Sequence, residues 1–184
     1  MKFRDICPAS AFIAMALSAC ANSGAPGYAS QQDRDIKALS PQEVQDLASG
    51  KGMGLAKAAE LNGYPGPLHV LELAGELRLT ARQRERTQAL FDAMQANAIA
   101  AGAALVDAER ELDVLFATRR ATPQALAAHL EKVGHLQAML RGVHLEAHLA
   151  QTTILEPAQV AHYVKLRGYS GAHDSGSHEH GPKP

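Results

Sequence analysis

The chain has 184 residues, the length of one domain with tails, and its 18 basic and 19 acidic side chains give a formal net charge of −1. This balance argues against nucleic-acid binding, which usually requires a basic face. Hydrophobic residues make up 46% of the chain, but aromatic residues only 4%, and Trp is absent. The composition therefore favours an all-α fold packed through small and aliphatic side chains.

The first residues are typical of a bacterial export signal. A basic start precedes an uncharged, mostly apolar run over residues 11–19, which is too short to span a bilayer as a helix. Leu17-Ser18-Ala19-Cys20 then resembles a lipobox. We predict that residues 1–19 are a signal peptide and that Cys20 carries a lipid. A signal peptide cleaved elsewhere and a misassigned start are the alternatives.

A flexible tether is expected at residues 20–37, because Ala, Ser, Gly, Gln and Asp dominate its first part. The helical domain is predicted to cover residues 38–169. Its first helix begins at a capping box, in which Ser40 and Glu43 satisfy each other's backbone amides, and ends at Gly50.

Two further short helices are predicted before the long ones. The first occupies residues 52–62 and stops at Gly63, and the second occupies residues 67–78 after a Pro-Gly-Pro turn.

A long amphipathic helix is predicted from Ala81 to about Arg119, because apolar residues recur at helical spacing and Pro is absent. Thr122 caps a second long helix, with Pro123 at its first position, running to about Thr153. The short connection between the two predicts an antiparallel hairpin.

A last helix is predicted from Pro157 to Leu166. Residues 170–184 hold Ser, Gly, Pro and three histidines, which predicts a disordered tail.

A short sequence motif occurs at two of these helix starts. Leu79-Thr80-Ala81-Arg82-Gln83 forms a capping box in which Gln83 reaches back to the amide of Thr80. Leu155-Glu156-Pro157-Ala158-Gln159 keeps the Leu and Gln spacing and has Pro157 at the first helical position. Glu156 stands where the first copy has Thr.

These phrases and their positions resemble the periplasmic Spy/CpxP superfamily, in which an LTxxQ motif opens one long helix and a second opens the last. That superfamily includes zinc-resistance-associated proteins and CnrX-type heavy-metal sensors. The resemblance covers about residues 67–169 and rests on Leu79, Thr80, Gln83, Leu155, Pro157 and Gln159. It implies a hooked all-α hairpin, usually dimeric, that binds unfolded clients or metal in the bacterial envelope. It does not imply an enzyme, and we expect none.

Metal-binding chemistry is expected at His144 and His148, because a spacing of four residues places two imidazoles on one helix face. Further ligands could come from His69, Glu146, His135 or Met139. The alternative is that these histidines are ordinary side chains at the edge of the core. The tail histidines His173, His178 and His180 form a second candidate, for loose metal scavenging, with a solubilising tail as the alternative.

The functional hypothesis is a periplasmic, membrane-anchored metal sensor or stress-protection lipoprotein. Nitrogen ligands suit Zn, Ni, Co or Cu, and no organic cofactor is expected. Each long helix leaves an apolar stripe uncovered, which predicts a homodimer, and a membrane-bound signalling partner is a further expectation. The alternative function is an ATP-independent chaperone that binds unfolded clients on the helical surface, and a second alternative is a purely structural dimerising module.

Overall fold

The computed structural model describes residues 27–169. The chain divides into two units, Met1–Gln32 and Asp33–Pro184. Only residues 27–32 of the first unit are described, and they form turns. The signal peptide, Cys20 and the tail histidines His173, His178 and His180 lie outside the described residues.

The fold is all-helical: between residues 33 and 169 there are six helices and no strand. Three short helices come first, and two long helices and a final short one follow. Their bounds are α1 Pro41–Ala48, α2 Lys57–Glu60, α3 Pro67–Glu72, α4 Ala81–Ala117, α5 Pro123–Ile154 and α6 Pro157–Leu166.

Side-chain caps fix the helix starts, as the sequence predicts. Thr80 Oγ1 accepts from the amide of Gln83 at 3.2 Å, and Gln83 Oε1 accepts from the amide of Thr80 at 3.1 Å, which closes the capping box of α4. Ser40 makes the same arrangement at α1, and Thr122 caps α5. Each such cap is worth about 1 kcal/mol of helix stability.

Two predicted short helices are shorter in the structure. The helix expected over residues 52–62 is reduced to Lys57–Glu60, because Met53 and Gly54 take positive φ angles of 45° and 79° that a right-handed helix excludes. The helix expected over residues 67–78 ends at Glu72, and turns lead from there to Thr80.

The core lies mainly between α1, α4 and α5. Gly102 lets α1 approach α4, since a Cβ at this position would lie 2.5 Å from the backbone oxygen of Leu47. The end of the predicted tether takes part, because Ile36 is 2% exposed and packs in the same cluster. The buried members of this cluster are Ile36, Leu47, Ala98, Ala101, Leu105, Val106, Ala108, Val133 and Leu140.

Two polar contacts join α4 and α5 at their opposite ends. Lys132 Nζ lies 2.6 Å from Glu111 Oε2, and the buried Gln151 Nε2 donates to Thr87 Oγ1 at 3.1 Å. A second core, formed by Val70, Leu77, Leu155 and Tyr163, packs the segment before α4 against α6.

By length and composition alone, one described helix, α4, could cross a membrane. It contains an 18-residue window with a mean hydropathy of 1.4, of which 28% is buried. The core helix of a folded protein passes the same test, so this finding alone assigns no membrane span.

Candidate functional site

The two motif glutamines meet, although they are 76 residues apart in the chain. Gln83 Nε2 donates to Gln159 Oε1 at 2.8 Å, and Gln159 Nε2 donates to Gln83 Oε1 at 3.2 Å. Gln83 Nε2 also donates to the backbone oxygen of Ile154, and Gln159 Nε2 to that of Leu77. Each glutamine therefore ties its own helix start to the chain just before the other motif. We call Gln83 and Gln159 the glutamine pair.

The two histidines that the sequence places on one face of α5 are both buried. His144 is 4% exposed and His148 is 8% exposed. They face the short helices and loops that precede α4, so this face of α5 is covered and not exposed to solvent. We call His144 and His148 the imidazole pair.

His148 is oriented by the loop before α3. Its Nδ1 donates to the backbone oxygen of Tyr64 at 2.8 Å, so Nε2 is the ring nitrogen left for a further partner. Gly66 allows this approach, since a Cβ there would lie 2.9 Å from His148 Nε2. A backbone carbonyl that holds one ring nitrogen is the usual support for a metal-binding histidine.

His144 has a buried nitrogen without a partner. Its Nε2 has no hydrogen bond to any residue of the described range 27–169. Burial lowers the pKa of His144, and the charge of nearby His148 lowers it further. The ring is therefore neutral at physiological pH, the form in which imidazole binds metals.

A carboxylate that the sequence did not single out lies behind the imidazole pair. Glu60, at the end of α2, is 13% exposed at its side chain, and its Oε2 lies 3.7 Å from His148 Nδ1. Its Oε1 accepts from Tyr163 Oη at 2.6 Å, Arg167 Nε at 3.2 Å and Tyr169 Oη at 3.2 Å. We call Glu60 and these three donors the Glu60 cluster.

The two oxygens of Glu60 differ sharply. Oε1 has three donors, whereas Oε2 is buried and has no hydrogen-bond partner within the described part of the chain. The cluster also binds α6 to α2. Burial, the hydrogen bond to Glu60 and the negative charge of Glu60 together raise the pKa of Tyr163, so this hydroxyl remains a donor.

A cavity of about 470 Å³ opens beside these groups, and both Glu60 and His144 line it. Its size falls within the range of small-ligand pockets. The glycine-rich loop before α2 forms one wall, and Lys57 and His69 also contribute. The larger apolar side chains in its wall are Met53, Leu61, Leu68, Phe91 and Met94.

The structure brings only some of the predicted ligands together. His69 lines the cavity with His144, but its Nδ1 lies 2.9 Å from Glu72 Oε2. Glu146 is exposed, because it lies two residues from His144 and therefore about 200° around the helix. His135 is also exposed.

The side chains at this site are of the types that bind transition metals, but they are not already arranged around a common point. Imidazole nitrogens and a carboxylate oxygen are ligands that suit Zn, Ni, Co or Cu. Across residues 27–169, however, no three His, Cys, Asp or Glu side chains form a ready metal-binding group. His144 Nε2 and Glu60 Oε2, which have no hydrogen-bond partner in the described structure, are atoms of the types that bind such metals. Side chains must move to bring them together around a metal.

The comparisons with known proteins add no relative. The sequence matches no family model, no curated protein and no solved structure.

Proposed function

We propose that this protein is a membrane-anchored lipoprotein of the bacterial periplasm that binds a transition metal through His144 and His148 and protects against metal stress by modulating a partner. The observation that carries the proposal is the buried imidazole pair, in which His144 Nε2 has no partner in the described structure. An unpaired buried polar atom costs about 1–3 kcal/mol, so its presence favours a role in binding. Membership of the Spy/CpxP superfamily belongs to the same proposal.

Titration calorimetry of the full chain with Zn, Ni and Cu tests it. We expect micromolar or tighter binding that is lost in His144→Ala and His148→Ala variants and weakens below about pH 6, where protons compete for imidazole. His162→Ala is the matched control, because this histidine is exposed on α6. Binding that survives both substitutions on α5 would contradict the proposal.

The alternative is an ATP-independent chaperone, and the exposed apolar rim of the cavity favours it. Met53, Leu61 and Leu68 line the cavity, yet they are 46%, 51% and 44% exposed. Exposed apolar groups around a concave surface are typical of protein-binding sites.

Aggregation of a denatured client, followed by light scattering, tests this alternative. A chaperone should lose its protective effect in a Leu61→Lys variant, whereas Leu130→Lys should retain it. Leu130 is equally exposed, at 51%, and lies on α5 outside the cavity. Equal suppression by both variants would exclude the cavity rim as a client site.

We further propose that α4 and α5 form a hooked antiparallel hairpin that dimerises. The polar contacts at opposite ends of these helices support the hairpin. The low burial of the apolar window in α4 supports a second copy of the chain as its cover. A stripe with alternating spacings of four and three residues is exposed on this helix: Ala89, Ala93, Ala96, Ala100 and Ala103.

Sedimentation analysis tests the dimer. We expect Ala96→Glu to shift the protein to a monomer, because a charge would be buried without a partner in the interface. Ala127→Glu, at an exposed position of α5, should leave the assembly unchanged. A monomeric wild-type chain would contradict this part of the proposal.

A further inference from the structure

We propose that Glu60 is the third metal ligand of this site and that it links the bound metal to the attachment of α6. The inference rests on the proposed metal-binding function. It makes Glu60 on α2, instead of Glu146, the carboxylate ligand. It also predicts that metal binding changes how firmly α6 is attached.

Oε2 of Glu60 and Nε2 of His148 both lie close to the position that a side chain at residue 66 would occupy. A Cβ at Gly66 would lie 2.9 Å from His148 Nε2 and 3.5 Å from Glu60 Oε2. Glycine at this position lets both side chains come close to the backbone, and therefore close to each other. Because His148 Nδ1 is held by the Tyr64 oxygen, Nε2 is the nitrogen available for a metal.

The same carboxylate holds α6 through its other oxygen. Tyr163 lies within α6, and Arg167 and Tyr169 follow its end, so three donors from the last described segment converge on Glu60 Oε1. Arg167 also contacts Tyr169, with its guanidinium carbon 5.6 Å from the ring centroid.

A divalent cation on Oε2 opposes this attachment in two ways. It withdraws negative charge from the carboxylate, which weakens the hydrogen bonds to Oε1. It also repels the positive guanidinium of Arg167, because both charges then share a single carboxylate. Metal binding should therefore loosen residues 157–169. By linkage, a weaker attachment of this segment should strengthen metal binding by the same factor.

Zinc calorimetry on the full chain tests the ligand assignment. We expect Glu60→Gln to weaken zinc affinity by roughly 10- to 100-fold, since one charged donor is lost. Glu146→Gln is the matched control and should bind zinc like the wild type, because Glu146 is exposed on another face of α5. Wild-type affinity in Glu60→Gln would overturn the assignment.

Amide hydrogen exchange tests the link to α6. Saturating zinc should accelerate exchange in residues 157–169 and leave the middle of α4 unchanged. The Tyr169→Phe variant removes one donor to Glu60 and should bind zinc about fivefold more tightly. A purely structural role for Tyr169 predicts no gain in affinity. This variant also decides the question if Glu60→Gln does not fold.

The outcomes separate the two proposals. If zinc binds through the imidazole pair but exchange in α6 does not change and Tyr169→Phe binds like the wild type, the link is wrong and the metal-binding function stands. If zinc does not bind the wild-type chain, both are wrong.

Discussion

Two polar clusters, one partly buried and one buried, differ in whether their hydrogen-bonding groups are satisfied. In the glutamine pair, each side-chain nitrogen donates to one backbone oxygen and to the partner amide oxygen. Near the imidazole pair, His144 Nε2 and Glu60 Oε2 have no partner in the described structure.

This difference in hydrogen bonding indicates that the glutamine pair has a structural role, whereas the imidazole pair is a candidate binding site. A satisfied buried network stabilises one arrangement of the helices, and removing any member leaves its partners unpaired. Unpaired buried atoms lower stability, so replacing them with apolar groups of similar shape is nearly neutral. Mutations in the glutamine pair should therefore cost far more stability than mutations of the unpaired atoms near the imidazole pair.

The largest effect is expected from Gln83→Leu. The substitution removes the second half of the capping box at Thr80 and leaves Gln159 and the Ile154 oxygen without their partner. We expect a loss of about 3 kcal/mol in the free energy of unfolding, measured by urea denaturation. The control Gln88→Leu, at an exposed residue of α4, should change it by less than about 0.5 kcal/mol. Equal losses would contradict a special role for the pair.

A double-mutant cycle over Gln83→Leu and Gln159→Leu isolates the contact between them. Because the two amides bond each other in both directions, the double variant should be more stable than the sum of the single losses predicts, by at least about 1 kcal/mol. Strict additivity in urea unfolding would show that the two glutamines act only as separate helix caps.

A much smaller effect on stability is expected from His144→Leu. Since His144 Nε2 has no partner in the described range, an apolar side chain of similar size should leave the metal-free unfolding free energy within about 1 kcal/mol of wild type. Zinc binding should be lost in the same variant. A large loss of stability without metal would indicate that His144 has a structural role.

The smallest effect concerns pH. The folded state holds the pKa of His144 below its usual value of 6.5, mainly through burial, so the unfolded chain binds more protons between these two values. The contribution of His144 to the free energy of unfolding is therefore fully present above about pH 6.5, and it decreases as the pH falls toward the pKa of the folded state. The urea concentration at the unfolding midpoint should decrease as the pH is lowered from about 7.5 to about 5.5. The decrease should be smaller in His144→Leu. An identical decrease in both proteins would assign the effect to other groups.

The helices could largely be predicted, because their starts are local. Ser40, Thr80 and Thr122 each form the predicted cap, and Pro157 opens α6. The error over residues 52–62 arose where glycines and a positive φ at Met53 override the apolar pattern. Local spacing did not reveal this loop conformation.

The candidate site could be predicted only in part. Helical spacing placed His144 and His148 on one face, but their burial depends on loops that fold back from far along the chain. Glu60 meets Tyr163 across 103 residues and Tyr169 across 109 residues, and no local pattern indicates such a contact. Glu146 is close to His144 in sequence, but two residues along a helix lead to a different face, and its side chain is exposed.

Imidazole nitrogen NMR of the full chain during a zinc titration tests the central claim most directly. The account predicts that the nitrogens of His144 and His148 shift to metal-bound values at one equivalent of zinc, while His129, His135 and His162 remain unchanged. Shifts confined to other histidines, or no shift of His144 and His148 at saturating zinc, would contradict the account.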